Sequence, residues 1–407
     1  MRRHDGRDLP VARRMAQSLV ILAAEIAFWC SVALVLYAYL GYPCALLALC
    51  AFRDRPVQKA RTWSRPPRVS FIITVHNEEA SIRDKIENTL GQDYPAEALE
   101  IIVASDCSTD RTDDIARRYE GRARLVRAPE RGGKEAAQKL ALQSASGEIL
   151  IFSDASTALA PDGVTTMVAN FADPTVGCVS SIDRFVDGDG RVSGEGAYVR
   201  YEMFLRALET RVNSVVGLSG SFFAARREVC QRWAADRQSD FSTLLNAVEM
   251  GLRGVLDERS AGYYRNLADD RRELERKIRT VVRGISVLVT NARMMNPLRH
   301  GLFAWQLASH KLCRWLVPHA MVAAALSNLL LVSHSPLYAV TMLLQCGFYA
   351  AAVAGLRTGA ARLRIPAYLV LANAGVLMAW LRFVAGERIA VWNPSDRLGA
   401  LPQAGGR

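Results

Sequence analysis

From Ser18 to Cys50 the chain is almost uninterruptedly apolar. A helix needs only about 20 such residues to cross the hydrocarbon layer of a bilayer. This run therefore predicts a membrane span. Gly41-Tyr42-Pro43 interrupts it, which predicts one crossing followed by a short interfacial piece, with two short crossings as the alternative. Arg2, Arg3, Arg13 and Arg14 precede the run as in a cleaved leader, yet the apolar stretch is longer than a leader's core.

Three more candidate spans lie near the other end: Trp315 to Val332, Leu337 to Leu356 and Ile365 to Val384. The loop between the last two carries Arg357, Arg362 and Arg364, whereas Ser333-His334-Ser335-Pro336 has no Lys or Arg. Cytoplasmic loops carry the excess of basic residues. By that rule the Arg loop, and with it the region before Trp315, faces the cytosol.

The 407 residues are enough for a large water-facing middle between these anchors, and half of them are hydrophobic. A net charge of +11 would suit nucleic acid. The Arg and Lys residues instead gather beside the apolar segments, which points to anionic membrane lipids as the partner and away from nucleic acid. The eight cysteines form no C-x-x-C pair and read as reduced thiols without a zinc site.

Past an Arg- and Pro-rich linker, strand and helix signals alternate. Val69 to Val75, Ile101 to Ala104, Leu125-Val126 and Ile149 to Phe152 read as strands. Between them, Ile82, Ile86 and Leu90, the stretch through Ile115 to Tyr119, and Lys134 to Gln143 read as helices. Such alternation implies an α/β fold with a mostly parallel sheet, and ligands bind such sheets at the carboxyl ends of the strands. Three strands end there in polar clusters: His76-Asn77-Glu78-Glu79, Asp106-Cys107-Ser108-Thr109-Asp110 and Asp154-Ala155-Ser156. Each alone could cap a helix. Three at one edge suggest carboxylates placed to bind a ribose or a metal that neutralises a diphosphate. An NAD-binding module is disfavoured, because no G-x-G-x-x-G follows the first strand.

The run Ile73-Thr74-Val75-His76-Asn77-Glu78-Glu79, then Gln92-Asp93-Tyr94-Pro95, Ser105 to Asp110, Gly133-Lys134 and Phe152 to Ser156, resembles family 2 glycosyltransferases of the GT-A fold, in particular membrane-bound polysaccharide synthases. The resemblance covers about residues 69–288. It implies a Rossmann-like mixed sheet between N- and C-terminal transmembrane helices, partitioned as follows: 1–52 basic segment and span, 53–68 linker, 69–265 GT-A domain, 266–314 amphipathic interface helices, 315–385 spans, 386–407 tail.

It also implies roles. Asn77 and Glu78 match the first nucleotide-contacting segment, and Asp106 the carboxylate on the uracil and ribose side. Lys134, opening a helix after two glycines, would face a phosphate. Asp154 matches the first acid of the metal-binding D-x-D, with Ser156 in the second place, so Mg²⁺ or Mn²⁺ is the implied cofactor. Gly217 to Phe223 is similar to the acceptor-lining segment, which makes Gly220 and Ser221 the acceptor residues. Ser239-Asp240-Phe241 resembles the segment of the catalytic base, with Asp240 its acid.

Leu274, Ile278, Val281, Ile285 and Leu288 share a helical face opposite Arg272, Arg276, Arg279 and Arg283, the pattern of a helix lying on a membrane. Within it Arg276 to Thr280 is similar to the Q-x-x-R-W motif, with Arg279 as its donor-binding arginine and Thr280 where the motif has Trp. Ser309-His310-Lys311 before Arg314-Trp315 reads as an interface anchor.

These features predict an inverting transferase in the inner membrane, moving a sugar from a UDP-sugar to a polysaccharide or lipid-linked acceptor on the cytoplasmic face, with polysaccharide-export components as further partners. A polyprenyl-phosphate monosaccharide transferase and a degenerate membrane scaffold are the alternatives.

Overall fold

A computed structural model gives the structure of the chain and describes residues 11–186, 197–265 and 270–388. Arg2, Arg3 and most of the tail lie outside the described residues, as do the side chains of Arg14 and Arg272. Two compact units result, residues 1–42 with 309–381 and residues 43–308 with 382–407.

In chain order, α1 (Val11–Leu36) and α2 (Tyr42–Phe52) are joined by a π-helical turn at Tyr37–Gly41. Then come β1 (Val69–Val75), α3 (Ile82–Leu90), β2 (Leu99–Ser105), α4 (Thr112–Arg117), β3 (Arg124–Arg127), α5 (Lys134–Ser144) and β4 (Ile149–Asp154). β5 (Ala158–Leu159), α6 (Gly163–Ala169), β6 (Val176–Val186), α7 (Ala197–Val212), β7 (Phe222–Arg226), α8 (Ser239–Glu249) and β8 (Arg253–Arg265) complete the α/β part. Five helices follow: α9 (Asp270–Thr290), α10 (Pro297–Leu307), α11 (Arg314–Leu331), α12 (Pro336–Thr358) and α13 (Arg364–Val384).

Unit two is built on an eight-stranded mixed sheet in the order β3-β2-β1-β4-β7-β6-β8-β5. β1 pairs in parallel with β2 and β4, and β2 with β3. β7 runs antiparallel between β4 and β6, and β5 antiparallel to β8. The whole of β1 is buried, as an aliphatic strand with helices on both sheet faces must be. Beneath it Phe71, Ile73, Ile82, Ile86, Ile151 and Val164 share one core. The register sets Val75 opposite Ser105, Thr74 opposite Asp154, and Ser105 opposite Arg127. The three polar clusters consequently emerge along one edge of the sheet.

Four helical stretches are long and apolar enough to cross a membrane: Met15–Phe52, Pro297–Leu331, Pro336–Thr358 and Ala361–Val384. Pro43 does not end the first, contrary to the expected break. The Tyr42 amide donates to the Tyr37 carbonyl, so a wider π turn takes up the residue that lacks an N–H and helix resumes. In unit one α1 packs on α11 and α12 through Ala24, Phe28, Ala324, Leu331 and Tyr338. Three polar pairs lie inside this bundle: Tyr338 Oη donates to Glu25 (3.2 Å), Tyr37 Oη bonds Ser309 Oγ (2.6 Å), and Asn373 Nδ2 donates to Tyr39 Oη (3.0 Å).

Helix α9 corrects one expectation. Ile278, Val282, Ile285 and Leu288 form its buried stripe, and Arg283 turns inward instead of joining a basic outer face. Arg283 follows Val282 directly, at the border of that stripe, from which its long side chain reaches a buried carboxylate.

Candidate active site

Two loops at the sheet edge are tied together by side chains the sequence singled out. Asn77 Oδ1 accepts from the Thr109 amide (2.8 Å), and the Glu78 amide donates to Thr112 Oγ1 (2.7 Å). Glu78 Oε2 accepts from Ser81 Oγ (2.6 Å). Both loops need left-handed backbone, at Asn77 (φ 54°) and Cys107 (φ 54°). Asn adopts this conformation more readily than most side chains. Asp106 is fully buried, and its carboxylate accepts from the amides of Gly132 (2.9 Å) and Gly133 (3.0 Å). It therefore fixes the loop that opens α5.

Gly133 has φ 91°, which only glycine takes without strain. The turn it makes sends Lys134 into the sheet edge. Lys134 Nζ donates to Asp154 Oδ1 and to the Gly220 carbonyl (2.8 Å). The Asp154 amide in turn donates to the Ser221 carbonyl (3.0 Å). Asp240 lies in the first turn of α8, its side chain buried, with Oδ2 accepting from Gln238 Nε2 (3.1 Å). A β-carbon on Gly220 would stand 3.3 Å from that same Oδ2. Lys134, Asp154, Gly220, Ser221 and Asp240 thus converge on one short loop, although they come from α5, β4, the segment before β7, and α8.

Arg279 is not brought to this centre by any hydrogen bond or ion pair among the described residues. It sits one turn from Glu275 on α9, where its charge helps Arg382 lower the Glu275 carboxyl below its usual range. The arginine that reaches the centre is Arg283, whose Nη2 donates to Glu135 Oε1 (2.5 Å). Glu135 follows Lys134 and is buried, and its Oε1 also accepts from the Ser239 amide (3.4 Å). Trp233 closes this side, stacking on Phe152 (4.9 Å) and donating Nε1 to the Glu135 carbonyl (3.0 Å).

Lys85 was also unforeseen. It is fully buried on α3, with Nζ donating to Ser153 Oγ (2.8 Å) and the Thr157 carbonyl (2.6 Å), and so brackets Asp154 from below. Burial pushes its ammonium down to about 7, against the opposing pull of Asp154. A signal existed: Lys85 falls between Ile82 and Ile86 on the apolar face of its helix.

Among the described residues no three His, Cys, Asp or Glu side chains gather as a metal cage. The end of β4 offers one carboxylate, Asp154, with its side chain 21% exposed, and the Ser156 hydroxyl two residues on. That set fits Mg²⁺ or Mn²⁺, hard cations that keep waters and are commonly held by one or two carboxylates plus substrate phosphates.

Residues 70–233 match the family model described as glycosyl transferase family 2. They form a family 2 glycosyltransferase domain. Over 95 residues the chain is 34% identical to the probable glycosyltransferase YdaM of Bacillus subtilis, covering 22% of this chain and 23% of YdaM. Over 198 residues it is 27% identical to the beta-monoglucosyldiacylglycerol synthase of a Nostoc species, covering 46% of this chain and 42% of that protein. The matched stretches thus span less than half the length of either relative. A mannosyltransferase from Pyrobaculum calidifontis, solved in complex with GDP-Man and Mn²⁺, has the same fold, with a TM-score of 0.69 over 91% of this chain and 99% of that one at 24% identity. The family 2 domain accounts for β1 through β7, and Asp240 and Arg283 lie beyond the matched residues.

Proposed function

We propose that the chain is an inverting glycosyltransferase that moves a sugar from a UDP-sugar to a polysaccharide or lipid-linked acceptor at the inner, cytoplasmic face of the cell membrane. The observation that supports this reading is the meeting of Lys134, Asp154 and Asp240 at Gly220, one cation and two carboxylates around one exposed backbone position.

Asp240 takes the proton of an acceptor hydroxyl as that oxygen attacks the anomeric carbon from the face opposite the diphosphate. The bond from that carbon to the diphosphate oxygen breaks, its electron pair leaves with the nucleotide, and the configuration inverts. Lys134 stands where charge builds on the leaving group and stabilises it. Asp154, with Ser156, would hold Mg²⁺ or Mn²⁺, which when bound supplies Lewis-acid stabilisation of the diphosphate. Asp106 keeps Gly132 and Gly133 in place beside the nucleotide, while Asn77 and Glu78 brace the adjoining loop through Thr109 and Thr112. The four apolar helical stretches anchor the chain in the membrane.

The test is to incubate membranes containing the chain with labelled UDP- and GDP-sugars, then to size the product and partition it between water and solvent. Incorporation from a UDP-sugar that is lost in Asp240→Asn, with nucleotide binding retained, supports the proposal. Full activity of Asp240→Asn would refute Asp240 as the base. A small solvent-soluble product would favour the polyprenyl-phosphate transferase, and no incorporation from any donor the scaffold.

A further inference from the structure

A second carboxylate stands beside the acceptor loop. Asp183 lies on β6 beyond the last residue that pairs with β7, where the strand's inner edge is met by the loop before β7. Its Oδ1 accepts from Ser219 Oγ (2.7 Å) and Ser221 Oγ (2.7 Å), and these hydroxyls lie 3.0 Å apart. The loop is pinned from the other side as well: the Ser219 amide donates to Ser180 Oγ (2.8 Å), and the Ser221 carbonyl accepts from the Asp154 amide (3.0 Å). Two hydroxyls on one oxygen fix the orientation of the carboxylate. Its other oxygen, Oδ2, takes no hydrogen bond from the described residues, and the side chain is only half-buried. Between the two serines lies Gly220, exposed, with Asp240 against its α-carbon. Two carboxylates therefore bracket a bare strip of backbone, Asp183 from the sheet and Asp240 from α8.

We propose that Asp183 is an acceptor-recognition residue: Oδ2 accepts a hydrogen bond from a hydroxyl of a sugar or other polyol acceptor lying over Gly220, and so orients the neighbouring hydroxyl toward Asp240. This rests on the reading of Asp240 as the base. An ionised carboxylate only accepts hydrogen bonds, so it selects hydroxyl-bearing ligands. A side chain on Gly220 would fill the strip, and none is present. Ser219 and Ser221 hold Asp183 in place and are positioning residues.

The experiment uses the full chain in lipid nanodiscs, as wild type, Asp183→Asn and Asp183→Ala. Binding of UDP and of GDP is measured by calorimetry with Mn²⁺. Binding of methyl glycosides of glucose, galactose, mannose and N-acetylglucosamine is measured by saturation-transfer NMR with the binding nucleotide present. The expected result is an unchanged nucleotide Kd, with glycoside binding weakened about 10-fold or more in Asp183→Ala, the loss of one hydrogen bond to a charged group. Asp183→Asn keeps the shape of the site and should give a smaller loss; if Asp183→Ala does not fold, a measurable loss in Asp183→Asn carries the test. Glycoside binding that is undetectable in wild type or unaltered in the variants would overturn the proposal. A nucleotide Kd that weakens in parallel with glycoside binding would also overturn it, because the role would then be structural. None of these readouts requires turnover, so retained transfer in Asp240→Asn would fail the base assignment separately.

Discussion

Arg283 Nη2 stands 2.5 Å from Glu135 Oε1, joining α9 to the residue that follows Lys134. Glu135 is 2% exposed and Arg283 15%. The second oxygen of Glu135 is buried with no hydrogen-bond partner. Arg283 is thus the cation that compensates this carboxylate, and removing it leaves a buried charge alone. Arg283→Met should cost about 3–5 kcal/mol of stability. The double variant Glu135→Gln/Arg283→Met should recover most of that loss, since neither charge remains. Urea unfolding of the three proteins checks the prediction, and equal losses in the single and double variants would count against it.

Gly220 stands close against Asp240. Its missing β-carbon would lie 3.3 Å from Asp240 Oδ2, tighter than most such contacts, so Gly220→Ala must move one of the two by a few tenths of an ångström. One of the two is the proposed base, and small misplacements of reacting groups slow catalysis steeply. The expected result is a fall of about 10- to 100-fold in kcat, with nucleotide Kd unchanged. Sugar-transfer rates set beside calorimetric UDP binding separate this outcome from a folding defect, which would lower both.

How much of this was legible in the sequence depends on how locally each feature is determined. β1 through β4 follow from short aliphatic runs, and the clusters at Asn77, Asp106 and Asp154 mark the ends of β1, β2 and β4 without reference to the rest of the chain. β7 is different. Phe222 to Arg226 pairs with β4, some seventy residues earlier, and no nearby residue announces that it will run antiparallel. Lys134, Asp154 and Asp240 could be picked out as residue types at motif positions, but their meeting at Gly220 is a property of the fold. Arg283 was misplaced because periodicity assigns a residue to a face, whereas a long side chain at the border of two faces goes to whichever partner is buried there.

Cys107 carries an unfavourable backbone. Its φ of 54° is left-handed, a conformation that costs a non-glycine residue about 1–2 kcal/mol. Its thiol makes only weak contacts, with Arg127 Nη2 at 3.5 Å and the Pro129 carbonyl at 4.0 Å. Cys107→Gly should therefore be neutral or stabilising by up to about 1 kcal/mol after the entropy of the freer unfolded chain is set against the relief of strain. A β-branched residue suits this conformation least, so Cys107→Val should lose about 1–3 kcal/mol. Thermal unfolding of the pair tests the order Gly, Cys, Val.

Glu100, at the opposite end of the sheet from the site, should make stability depend on acid. Burial raises its carboxyl pKa, but hydrogen bonds from Ser70 Oγ, from the amide and hydroxyl of Ser146, and from the Gly147 amide outweigh this and hold it below the usual range. A carboxylate whose pKa is depressed in the folded state contributes stability that is fully present above its unfolded value, about 4.3, and is lost as pH falls through the folded value. Above that range the folded and unfolded states are both ionised, and only the folded one has these donors. Glu100→Gln should then cost about 1–3 kcal/mol at pH 7, the worth of hydrogen bonds to a charged group. Below the folded pKa wild-type Glu100 is itself neutral, so the two proteins should converge as the solution is acidified. Urea midpoints measured from neutral pH down to about pH 3, a unit or so below the unfolded value, decide it; a gap that stayed constant with pH would show that the residue acts by shape and not by charge.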